Sequence, residues 1–190
     1  MTQDIVGLIK EQLNENVLGR IAGFLGEEKS GVTSAVGSAL PSLLLGLIKK
    51  GTEPGGAEDL LGILREGKHD GGILDNLDSV LDGGSATENL LSSGKGLLAS
   101  IFGDKAGGLG DMIASIGGIS KNSGSSLLGI LAPIVMGFIG KMLKSEGGFS
   151  AQGLIRLLLG QKDTVKAALP AGIAGLLGVG DIEKPEMKEV

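Results

Sequence analysis

Four places in this chain hold side chains whose types and spacing could do chemistry. Ser92-Ser93-Gly94-Lys95 fits Ser-x-x-Lys, the nucleophile motif of penicillin-recognising enzymes. None of the companion motifs of that chemistry is present, and a pattern with two fixed positions arises readily by chance. Gly62-Ile-Leu-Arg-Glu-Gly67-Lys68-His69 comes close to a phosphate loop, but His69 stands where a hydroxyl would bind magnesium. That loop also needs a strand before it, whereas a helical apolar pattern runs through Ile63 and Leu64. Basic residues at the negative end of a helix dipole account for the pattern better. His69 is the only histidine, and one imidazole cannot build a typical zinc site. It falls in Gly67-Lys-His-Asp-Gly-Gly, which reads as an exposed turn. Asp70, Asp75, Asp78 and Asp82 lack the alternating oxygen ligands of a calcium loop. Asp75, Asp78 and Asp82 lie at helical spacing and read as a solvated acidic face. There is no cysteine, so thiol catalysis, thiolate ligation and disulfides are all excluded. No catalytic, cofactor-binding or metal-ligating residue is assigned, and no cofactor or small-molecule substrate is expected.

The elements that must position any site are helices. Apolar residues recur at helical spacing almost throughout, and no stretch sustains a period of two. A first helix carries Ile5, Leu8, Ile9 and Leu13 behind a Thr2 cap, and a second runs from Val17 to Leu25 and ends at Gly26. Ser30 to Ile48 is a long apolar segment containing Pro41, followed by a loop from Thr52 to Gly56. Short helices are expected at Leu60–Leu64 and Ile73–Leu81. Ser85-Ala-Thr-Glu88 reads as a capping box for a helix ending at Phe102. Leu109–Ile116 is another short helix, Asn122–Leu143 mirrors the earlier long segment around Pro133, and Ser150 caps Ala151–Leu159. Asp163–Leu177 contains Pro170. The expected fold is all-α: a compact multi-helix bundle of short glycine-capped helices around two long, proline-interrupted apolar segments. Residues 1–180 are expected to form one helical domain, with 181–190 a charged flexible tail. Pro41, Pro133 and Pro170 each follow a similar apolar hexapeptide, which suggests pseudo-repeats with bends or corners at the prolines.

Ser30–Ile48 lies between Lys29 and Lys49, and Asn122–Gly140 between Lys121 and Lys141. Each is uncharged over 19 residues, about the length of a membrane span. Both hold a proline, several glycines and hydroxyl residues, and neither has an aromatic belt, so they read as helices buried within a domain. Small residues recur at intervals of four: Gly31, Ala35 and Ala39, then Ser125 and Gly129. Such faces let helix backbones approach closely. Gly129, Pro133, Gly137, Gly140, Pro41, Ala35 and Ala39 are the candidate helix-packing and self-association residues.

Composition narrows the partners. The net charge is −5, with no run of lysine and arginine, which argues against nucleic acid. Four Phe with no Tyr or Trp argue against base-stacking and sugar platforms. The N-terminus lacks the basic region of a secretory signal, so a cytoplasmic location is expected. Thirty-six glycines among 42% hydrophobic residues mean close-packed helices rather than collagen or disorder.

The run Gly96-Leu-Leu-Ala-Ser-Ile-Phe-Gly103, then Met112-Ile-Ala-Ser-Ile-Gly117, then Ser126-Leu-Leu-Gly-Ile-Leu-Ala-Pro-Ile-Val-Met-Gly-Phe-Ile-Gly-Lys141, resembles the bacterial family called domain of unknown function 937, which is similar to the YidB-like proteins. The resemblance covers most of the chain apart from its tail. It implies an all-helical cytoplasmic bacterial protein and supplies no activity or site residues. Together these readings lead to an expectation of a non-enzymatic structural or interaction protein that forms a homo-oligomer through apolar helical faces. A peripheral lipid- or membrane-surface protein is the alternative, and an enzyme using carboxylates alone ranks third. The oligomer is expected because the remaining helices are short for wrapping two such apolar segments, so that a partner chain would complete their burial.

Overall fold

A computed structural model of the chain describes residues 4–66 and 72–177. Among them every regular element is an α-helix. In chain order these are α1 (Ile5–Gln12), α2 (Glu15–Leu25), α3 (Lys29–Thr52), α4 (Gly56–Glu66), α5 (Gly72–Asp75), α6 (Leu77–Val80), α7 (Ser85–Phe102), α8 (Lys105–Gly117), α9 (Lys121–Ser145), α10 (Ala151–Leu159), α11 (Lys162–Ala168) and α12 (Ala171–Leu177). His69, the phosphate-loop look-alike beyond Glu66, Asp70 and the acidic-basic tail lie outside the described residues.

Local chemistry sets the helix starts. The side chains of Asp4, Asn14, Ser120 and Ser150 each accept an amide N–H from the first turn that follows. Asp4 therefore takes the capping role expected of Thr2. The Ser85 capping box does not form, because Gly84 is the N-cap and no side chain caps the helix. Thr87 instead ties the preceding turn together, accepting from the Gly83 N–H at 2.9 Å and donating to the Val80 carbonyl at 2.6 Å. Thr52 belongs to α3 rather than to a loop. The Ile73–Leu81 segment breaks at Asn76 into two single-turn helices, so Asp75, Asp78 and Asp82 do not share one helical face.

α3 and α9 form the centre. Their most apolar windows have mean hydropathies of 1.6 and 1.9, and 78% and 89% of those windows is buried by the rest of the chain. A helix that is apolar on every side must be covered on every side. Here α7 and α8 cover α9, while α4, α8, α10 and α11 cover α3. One chain thus supplies the covering that the sequence reading assigned to a partner. Pro41 and Pro133 are buried inside α3 and α9, and both helices continue through them. A proline removes the N–H that would bond four residues back. Those positions are Gly37 and Gly129, whose backbones tilt at least cost. Pro170, by contrast, does make a corner, between α11 and α12.

α2–α3 and α8–α9 are the same unit used twice, 92 residues apart. Lys29 and Lys121 open the long helices, Pro41 and Pro133 occupy the same position within them, and Gly37 and Gly129 precede those prolines by four. The turns agree as well. Gly26 (φ 70°, ψ 30°) and Gly118 (φ 67°, ψ 30°) end α2 and α8 in the left-handed conformation that glycine adopts without strain. The next residue in each case bonds five back, Glu27 to Ala22 and Ile119 to Ala114. The two units interleave: α9 also packs on α1, α2 and α4, and α3 on α7 and α8.

Candidate functional site

The layer formed by α3, α7, α8 and α9 is assembled at three places where glycine lets backbones touch. At the α7–α9 crossing a Cβ on Gly94 would overlap the Gly129 carbonyl, the group that receives no N–H from Pro133. At the α3–α8 crossing a Cβ on Gly31 would lie 2.7 Å from the Gly117 oxygen, and one on Gly117 would lie 2.6 Å from the Gly31 oxygen and 2.9 Å from the Ala35 Cβ. At the α8–α9 crossing a Cβ on Gly110 would lie 2.7 Å from Ser125 Oγ, and one on Gly124 would lie 2.7 Å from the Ala114 Cβ. Real side chains do not tolerate such distances. α8 is therefore held on two faces, with Gly117 against α3 and Gly110–Ala114 against α9.

These contacts locate the residues singled out in the sequence. Ala35 and Ala39 are fully buried in α3, and Ala35 faces Gly117. Gly129 carries the α7 crossing, with its Cα edge against Leu91 and the Lys95 stem. A Cβ on Gly137 would meet Ile73 of α5 at 2.8 Å. Pro41, Pro133 and Gly140 are buried within their own helices. All seven are buried within this chain. Spacing along α3 and α9 exposed one side of each crossing. Gly94, Gly110, Gly117 and Gly124 were missed, because a single sequence does not say which helices meet.

The three crossings leave an open cleft of about 280 Å³ between α7, α8 and α9. Its lining is Lys95, Leu98, Ala99, Gly103, Ala106, Gly107, Ser125 and Leu128. Leu98 and Leu128 are buried beneath it, and Lys95 is exposed at its edge. At Gly103 and Gly107 a Cβ would meet nothing within 4 Å. The cleft exists because small residues line it.

A second cleft, of about 140 Å³, gathers Lys49, Lys50 and Lys105, which the sequence spreads over two helices. Their charges already have nearby acceptors: Lys49 donates to the Leu177 carbonyl, Lys50 lies 3.6 Å from Asp59, and Glu53 shares the lining. A third polar cleft, of about 250 Å³, lies where the α8 C-terminus meets the start of α3, with Glu27, Glu28, Ser30 and Ser34 on its walls.

The strongest polar contact between the two units is Glu27. Its carboxylate accepts from the Ser123 hydroxyl at 2.7 Å and from the Ser120 N–H at 3.0 Å, at the positive end of α9. These bonds, the Ser123 hydroxyl first, hold the Glu27 carboxyl below the ordinary glutamate range. Glu15 is lowered likewise by Lys29, 2.9 Å away.

Among the described acidic residues, Asp78 pairs with Arg20 at 3.4 Å and Asp82 accepts the Gly84 N–H at 2.8 Å. Among the described residues no three His, Asp or Glu side chains are grouped to hold a metal. In the Ser92-Ser-Gly-Lys95 pattern, Gly94 serves the crossing and Lys95 lies over Gly129, so both have roles in packing.

Residues 7–142 match the model of a family described as a bacterial protein of unknown function, DUF937. No curated protein and no solved structure matches the chain.

Proposed function

Because the chain belongs to the DUF937 family of bacterial proteins of unknown function, we propose its role from its own surface: a non-catalytic interaction protein that associates with a second copy of itself through the outer side of α8. The observation that carries this is Ile116. It is one of two large hydrophobic residues exposed among those described, at 41%. Met112, one turn earlier, and Ile119, just past the helix end, are half-buried, against Gly172 of α12 and Gly31 of α3. Ninety-two residues earlier the repeat places Arg20 and Phe24 on α2 and Glu27 just past its end. Two of these are charged and bonded within the chain, to Asp78 and to Ser120 and Ser123. One copy of the unit carries bonded charges there, and the other exposes Ile116 to water. Covering that side chain would take apolar surface out of water, which favours association.

We put the docking face here rather than on the seven small and proline residues because those are buried by their own chain. A lipid surface is the rival reading. The lengths of α3 and α9 favour it, but their burial within the chain does not. Sedimentation without detergent at about 50 µM, which populates micromolar interfaces, should report a mass above one chain. Ile116→Glu should return it to one chain with the helical spectrum unchanged. A monomeric parent, or an Ile116→Glu variant that still associates, would sink the proposal. Co-flotation with anionic vesicles by an otherwise monomeric parent would replace it with the lipid reading.

A further inference from the structure

We propose that the cleft between α7, α8 and α9 is a binding site for a small aliphatic carboxylate, with the chain seated over Leu98 and Leu128 and the carboxylate on Lys95. This does not depend on the docking face of α8. Three observations converge. The floor is apolar and buried, with Leu98 and Leu128 at 5% and 0% exposure. The walls are Ala99, Gly103, Ala106 and Gly107, and at the two glycines the space a side chain would occupy is open. No acidic residue lines the cleft, and its one charged side chain is the exposed Lys95.

Lys95 is also positioned. Its Cγ lies 3.6 Å from where a Gly129 Cβ would stand, so its stem rests on α9 at the glycine crossing while the residue as a whole is exposed. An apolar recess with one cation at its mouth complements an amphiphile whose single charge is negative. No aromatic side chain lines the recess to stack on a ring, which favours an aliphatic body. Size sets the class further. A cleft of about 280 Å³ suits a short aliphatic chain, of which octanoate is an example. Sites of this kind are commonly concave and apolar with a few placed polar groups.

The test is a titration of the intact protein with octanoate below its micelle concentration, followed by amide chemical shifts, with octylammonium as the charge-reversed control. Saturable shifts at residues 95–107 and 125–128 are expected with octanoate and not with octylammonium. Lys95→Gln should weaken binding about tenfold, the scale of one charge-assisted contact. Gly107→Leu should fill the recess and abolish binding. It should fold normally, since a Cβ there meets nothing within 4 Å. Absence of saturable shifts, or a Gly107→Leu variant that binds like the parent, overturns the proposal. Equal shifts with octylammonium, or shifts unchanged in both variants, would mark a nonspecific amphiphile contact and overturn it too. Binding to anionic vesicles without binding of monomeric octanoate would assign the surface to lipid and overturn the free carboxylate.

Discussion

A glycine inside a helix costs about 0.5–1 kcal/mol relative to alanine, and α7 holds two whose surroundings differ completely. A Cβ on Gly94 would overlap the Gly129 carbonyl, while one on Gly96 would meet nothing within 4 Å. Opposite outcomes are therefore expected from the same substitution two residues apart. Gly96→Ala should stabilise by about 0.5–1 kcal/mol. Gly94→Ala should destabilise by about 1–3 kcal/mol or more, because α7 has to move off α9. Urea unfolding of both variants checks this, and equal effects of the same sign would refute the crossing. Gly129 could be picked out as a packing residue from its spacing with Ser125. Its partner Gly94 could not, since one sequence does not say that α7 crosses α9 there.

At the scale of elements, the regular parts were legible and the junctions were not. Apolar periodicity located most of the helices, and Ser150 was recognisable as a cap from its place before Ala151. Ser85 had the right type and spacing for a capping box, yet Thr87 reaches back to Gly83 and Val80 and leaves Gly84 at the cap. Two turn chemistries competed there, and local sequence did not rank them. Pro41 and Pro133 were read as bends or corners, and neither is a corner, since a glycine four residues earlier lets each helix run on. Glu27 was invisible because its partners lie 93 and 96 residues away. Its contribution depends on pH with a definite sign. The folded carboxyl is held below its ordinary value of 4.5 by Ser123 and Ser120. The stability it adds is therefore complete above that value and is lost as pH falls through the lowered one. Glu27→Gln should have a lower urea midpoint than the parent at pH 7, and the gap should close on acidification below 4.5. A gap that stays constant into acid would show that the carboxylate charge plays no part in the clasp.

At the scale of the whole molecule, the all-helical class followed from the period of the apolar residues, and a mirrored pair of long segments was visible around Pro41 and Pro133. How the pair is covered was not visible, because wrapping depends on which short helices reach across. The two units do not form separate cores: α9 packs on α1, α2 and α4 from the first half, and α3 packs on α7, α8, α10 and α11 from the second. The chain also loops back at its end, where the buried Gln161 side chain accepts the Ile5 N–H at 2.9 Å across 156 positions. Each long apolar helix takes part of its cover from the other half, so folding should be one cooperative event. Unfolding followed by circular dichroism and by amide exchange should give coincident transitions. The chain split at Gly84, which is exposed and precedes α7, offers a sharper test. Residues 1–84 and 85–190, purified separately, should each show little stable helix or aggregate. Mixed from denaturant at equal concentration, they should recover the spectrum of the intact chain. A half that folds alone into a stable monomer would mean that the units carry independent cores, and the interleaved account of the fold would fail.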